Sequence, residues 1–93
     1  MPEKKSSGTF IVKNDKGLHT RPSTELVKCA ANFSSRVSLS YRNYTVNAKS
    51  LLGILMLAAE RGSKIIVEAS GKDAKEAIES ILTLAKNKFN ITY

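Results

Sequence analysis

Gly17-Leu18-His19-Thr20-Arg21-Pro22-Ser23-Thr24 is where an extended segment gives way to a helix, and it holds the only histidine and one of the two prolines of the chain. Pro22 fixes φ and lacks an N–H, which suits the first turn of a helix, where that donor would be orphaned anyway. Gly17 supplies the backbone freedom to end the preceding segment and turn the chain. The helix is therefore expected to open at about Thr20, with His19 at or just before its N-cap. Upstream, Thr9 to Lys13 reads as a short strand and Asn14 to Gly17 as a turn. Downstream, Leu26, Cys29, Ala30 and Phe33 fall at helical spacing and mark a face turned to a core. Cys29 lies on that stripe and reads as a small buried hydrophobe rather than a reactive thiol.

The same stretch carries chemistry. The first N–H groups of a helix point outward without partners and form the positive end of the macrodipole. They favour the neutral imidazole of His19 over its cation and welcome an anion such as a phosphoryl group. Arg21 adds a permanently charged fork that matches phosphate oxygens. A neutral nitrogen nucleophile, an anion cradle and an arginine within three residues can carry a phosphoryl group on nitrogen. From the spacing alone, a capping histidine and a solvated arginine account for the pattern equally well.

Beyond this helix, Val37, Leu39 and Tyr41 alternate with Ser38 and Ser40, the period of a half-buried strand. Arg42-Asn43 makes a tight turn in which Asn43 tolerates positive φ, and Tyr44-Thr45-Val46 returns as the partner strand. Ile65, Val67 and Ala69 alternate with Ile66, Glu68 and Ser70 in a further strand. The last helix opens on a capping-box-like pair, Asp73 and Glu76, and its apolar face runs through Ala74, Ala77, Ile78, Ile81, Leu82, Ala85 and Phe89. The order β-α-β-β-α-β-α gives an α+β fold, with amphipathic helices on one side of a four-stranded antiparallel sheet. Residues 1–8 are expected to be a disordered basic tail, and 9–93 a single domain.

Between the strands, Ser50 precedes Leu51-Leu52-Gly53-Ile54-Leu55-Met56-Leu57-Ala58. It reads first as an N-cap. A short helix with almost no polar face cannot be buried on every side by a one-sided sheet, so part of Leu51, Leu52, Leu55 and Met56 should be exposed. Such patches mark partner sites in small proteins.

Fifteen basic against eight acidic residues give a formal charge of +7, which calls for an acidic partner, nucleic acid, or a solubility explanation. Nucleic acid is disfavoured, because only Tyr41 and Tyr44 could form a stacking platform. The longest apolar run is too short for a membrane span, and Met1 to Ser7 contain no apolar signal core, so a cytosolic protein is expected. One cysteine and one histidine build neither an internal disulfide nor a zinc site, and no Gly-rich phosphate loop supports a nucleotide; no metal or cofactor is expected.

Gly-Leu-His-Thr-Arg-Pro resembles the active-site loop of HPr, the histidine-containing phosphocarrier family of the phosphoenolpyruvate-dependent sugar phosphotransferase system. Val46-Asn47-Ala48-Lys49-Ser50-Leu51-Leu52-Gly53 resembles that family's regulatory serine segment and stands at the family's distance from the first motif. The resemblance covers about residues 9–88. It implies an HPr-like open-faced β-sandwich, and a stoichiometric phosphocarrier rather than an enzyme. It assigns His19 as phosphoryl acceptor, Arg21 as the phosphate-binding arginine and Ser50 as the regulatory serine. The implied partners are enzyme I as donor, an enzyme IIA-type acceptor and an HPr kinase/phosphorylase acting on Ser50; the chain itself is expected to be a monomer. Thr20, Lys28, Lys49, Leu51, Leu52, Leu55 and Met56 become candidate docking residues, with Arg21, Lys28 and Lys49 as a basic rim. A regulatory binding module, read out through Ser50, is the alternative. Two departures stand out: Ser23 occupies a position where the family often has alanine, and the chain is unusually basic for it.

Overall fold

A computed structural model describes residues 4–91. The chain runs β1 (Lys5–Ile11), α1 (Thr20–Ala31), β2 (Arg36–Tyr41), β3 (Tyr44–Asn47), α2 (Leu51–Met56), β4 (Lys64–Ser70) and α3 (Ala74–Lys86), closing with a short turn at Lys88–Asn90. The strands form one antiparallel sheet in the order β1-β4-β2-β3. Alternation decides which face is covered. Phe10 of β1, Val37 and Leu39 of β2, and Ile65, Val67 and Ala69 of β4 are buried, while their neighbours in each strand are not. Against that face pack Leu26 and Ala30 of α1, Ile54 of α2, and Ala74, Ala77, Ile78, Ile81 and Ala85 of α3. The fold is an open-faced sandwich, with the helices on one side and the other side of the sheet uncovered. No helix among the described residues is long and apolar enough to cross a membrane.

Four expectations need correction. Residues 5–8 are not a tail: Lys5, Ser6, Ser7 and Gly8 pair with Ser70, Ala69, Glu68 and Val67, so β1 begins four residues before Thr9. Their polar side chains carry no apolar signal, and the backbone ladder to β4 supplies what the side chains lack. Residues 1–3 lie outside the described part. In the hairpin, Arg42 takes the positive φ, 57°, in place of Asn43, and its guanidinium lies 5.2 Å from the Tyr41 ring centre.

The last helix stops at Lys86, so Phe89 is not on its face. Lys88, Phe89 and Asn90 follow in left-handed conformations, and Phe89 turns back into the core against Phe10, ring centres 5.7 Å apart and edge to face. The capping box at α3 does not form either. Asp73 is the N-cap residue, but its side chain makes no cap bond. Its carboxylate instead accepts the Ser34 and Ser35 amides, each at 2.9 Å, along with both serine hydroxyls. Cys29 is half-buried on the core stripe, and burial pushes its thiol above the ordinary range.

Candidate functional site

His19 is the N-cap residue of α1, with extended backbone angles and no cap bond from its side chain. The imidazole is exposed and not engaged in holding the helix. The first intrahelical bond runs from the Ser23 amide to the His19 carbonyl at 3.0 Å; the Thr20 and Arg21 amides precede it and Pro22 has none. The position therefore joins a solvent-facing ring nitrogen to the positive end of a helix.

Two bonds fix this geometry. The buried Ser23 hydroxyl donates to the Leu18 carbonyl at 3.0 Å, latching the first turn of α1 to the loop that enters it. This accounts for a serine at a position where alanine would leave that carbonyl without this partner. The Leu18 amide donates to the Ala59 carbonyl at 2.9 Å, tying the loop to the segment that follows α2. Gly17 makes that approach possible: its φ is +73°, and a Cβ there would stand 2.2 Å from the Ala59 oxygen.

A small cavity of about 80 Å³ is lined by Asn14, Lys16, Gly17, His19, Arg21 and Pro22. His19 and Arg21 thus share one recess. Asn14 and Lys16, which by sequence are only turn residues, complete this lining. Asn14 is buried and its Nδ2 donates to the Lys88 carbonyl at 3.0 Å, joining the loop to the left-handed turn after α3. Polar residues within five positions of the histidine were the available signal. The bond to Lys88 spans 74 positions and had none.

Ser50 is the N-cap of α2, its Oγ accepting the Gly53 amide at 3.1 Å. The expected cap is in place. Of the apolar set on α2, Leu52 and Met56 are 69% and 75% exposed, Leu51 is exposed to a lesser degree and Leu55 is half-buried. α2 leads through Leu57 and Ala58 to Ala59, so this patch ends beside the His19 loop, while Ser50 lies at its far end, about 9 Å of helix away. Thr20 is exposed next to His19. The basic rim is only partly assembled. Lys28 stays exposed but pairs with Glu25 at 3.5 Å, and Lys49 turns its Nζ inward to the Phe33 carbonyl at 2.7 Å, beyond the end of α1. Lys49 is a tie between α1 and the α2 entry rather than a rim charge.

An exposed imidazole at a helix N-terminus, an arginine in the same recess and an adjoining apolar patch thus lie together on one surface. A family model described as the PTS HPr component phosphorylation site matches residues 6–87. The chain is 43% identical over 76 residues to the phosphocarrier protein HPr of Cupriavidus necator, covering 82% of this chain and 85% of that protein. A solved structure of HPr-C-His from Thermoanaerobacter tengcongensis superposes with a TM-score of 0.90 at 36% identity, covering 95% of this chain and 99% of the other. A structure from the same organism described as an HPr dimer gives a TM-score of 0.74 at 39% identity, covering 86% and 92%. The chain belongs to the HPr family of phosphocarrier proteins of the phosphotransferase system.

Proposed function

We propose that His19 accepts a phosphoryl group from phosphorylated enzyme I and passes it to an enzyme IIA-type component, in the cytoplasm. The observation that carries this reading is the exposed, uncommitted imidazole of His19 in one recess with Arg21. In the transfer, a lone pair on one ring nitrogen forms a bond to phosphorus while the donor's bond to phosphorus breaks and its electron pair leaves with the donor. The reverse exchange delivers the group onward. The amides at the start of α1 and the Arg21 guanidinium stabilise the negative charge on the phosphoryl oxygens. No general base or substrate cavity is needed, because both reactants arrive as proteins, so the chain acts as a stoichiometric carrier. Leu51, Leu52 and Met56 form the apolar part of the docking surface, and a phosphoryl group on Ser50 would set a dianion at its edge. A purely regulatory module read through Ser50 leaves the exposed His19 unexplained. Incubation with enzyme I and phosphoenolpyruvate tests the reading: the His19→Ala variant should take up no phosphoryl group, and undiminished uptake would overturn it.

A further inference from the structure

We propose that the uncovered face of the sheet, at the end away from His19, is a docking groove for an acidic, extended segment of a partner protein. Register aligns the outward-facing side chains into rows. Lys5, Ser70 and Arg36 make one row across β1, β4 and β2. Ser7, Glu68, Ser38 and Asn47 make the next. Strands about 4.8 Å apart place the Lys5 and Arg36 backbones roughly 10 Å from each other, with Ser70 between them. These rows floor a groove of about 960 Å³.

The lining and its surroundings choose the occupant. Lys5 and Arg36 line the groove with Glu68 as its single acidic residue; Lys49 also lines it, but its Nζ is held by the Phe33 carbonyl. The salt bridges among the described residues, Lys28–Glu25 and Arg61–Asp15, use none of these cations, and Glu3 lies outside the described part. A carboxylate above Ser70 is within reach of both a planar guanidinium fork and an ammonium. The hydroxyls of Ser7 and Ser38 offer donors and acceptors to a peptide backbone. No aromatic side chain lines the groove, so single-stranded nucleic acid finds no stacking platform. The exposed isoleucines of this face, Ile11 and Ile66, lie toward its other end, which leaves little apolar surface for a membrane.

The groove is also separate from the phosphoryl site. Lys5 and Ile11 stand at opposite ends of β1, about 20 Å apart at strand rise, and the chain reaches His19 only beyond Ile11. A partner seated here would leave His19 accessible.

The test is titration of the full chain, isotopically labelled for NMR, with an octaglutamate peptide at low salt. Shifts should concentrate on Lys5 to Ser7, Arg36 to Ser38 and Glu68 to Ser70. The double variant Lys5→Glu/Arg36→Glu should lose about tenfold or more in affinity, whereas Lys75→Glu/Lys86→Glu, with the same net charge, should bind much as wild type. The neutral pair Lys5→Gln/Arg36→Gln should lose affinity too, and covers the case in which charge reversal impairs folding. Failure of the wild type to bind, equal losses in both charge-reversed variants, or shifts centred on α1 and α2 would each overturn the proposal. Tighter binding of an eight-nucleotide single-stranded DNA on the same residues would overturn the peptide as occupant.

Discussion

The Asp73 carboxylate accepts both the backbone amide, at 2.9 Å, and the hydroxyl of Ser35, a residue 38 positions earlier in the chain. Ser34 adds its amide and hydroxyl to the other carboxylate oxygen. The loop between α1 and β2 is thereby fastened to the start of α3, across two elements that share no local sequence. The Ser35 hydroxyl foremost, then the Ser34 and Ser35 amides and Asp73's own amide, lower the Asp73 pKa to about 2.

That shift gives the fold a defined pH dependence. The carboxylate is charged in the folded protein down to about pH 2 but protonates nearer its ordinary value when unfolded. Its contribution is therefore complete above about pH 4 and disappears as pH falls toward 2. Asp73→Asn should lower the melting temperature at pH 7, with the gap to wild type closing as the pH is brought toward 2. Melting curves of both proteins across this range check it.

Gly17 holds the site loop against Ala59. Gly17→Ala places a Cβ 2.2 Å from the Ala59 oxygen and forces a non-glycine residue to φ +73°. The backbone term alone is about 1–2 kcal/mol. The clash adds to it and threatens the Leu18–Ala59 bond. Denaturant unfolding should show a loss of about 2 kcal/mol or more, accompanied by slower phosphoryl acceptance than in an equally destabilised core variant.

In the proposed transfer, Arg21 steadies the phosphoryl group. Arg21→Ala should slow transfer from enzyme I. Loss of one charge-assisted pair is worth roughly 1.5–3 kcal/mol, about tenfold or more in rate if made in the transition state. Stopped-flow transfer rates read this directly; rates equal to wild type would remove Arg21 from the transfer step.

Two substitutions at Ser50 separate its capping role from the proposed regulatory one. Ser50→Ala removes the bond from the Gly53 amide and should cost about 0.5–2 kcal/mol while leaving enzyme I binding intact. Ser50→Asp keeps a good cap with a charge suited to the helix end, yet places a hydrated anion beside Leu51 and Leu52. It should be stable but bind enzyme I more weakly. Melting temperature and enzyme I affinity, measured on both variants, distinguish a cap from a switch.

The parts of the fold legible in the sequence were those with local causes. Pro22 and Gly17 placed the start of α1, Ser50 the start of α2, and side-chain alternation the buried face of β2 and β4. What escaped had distant causes. Lys5 to Gly8 look like a tail until β4 offers its ladder. Phe89 continues the helical pattern of α3, but its burial against Phe10 is decided by a tertiary contact that ends the helix early. Asp73 and Glu76 satisfy a local capping pattern, yet two serines from another loop hold the Asp73 carboxylate instead. Within the site, the position of His19 at the start of α1 was readable from Gly17 and Pro22, whereas its role and that of Arg21 came from the family resemblance and not from spacing. The inward turn of Lys49 was not, because its acceptor, the Phe33 carbonyl, belongs to another element.

Whether His19 carries the phosphoryl group on a ring nitrogen is tested most directly by the chemistry of the bond. Wild-type protein incubated with enzyme I and phosphoenolpyruvate should gain the mass of one phosphoryl group, mapped to the peptide containing His19. A phosphoramidate is labile in acid and stable in base, so the label should vanish at low pH and survive alkali. No uptake by the wild type, or an acid-stable label mapped to a serine or threonine, would contradict the account.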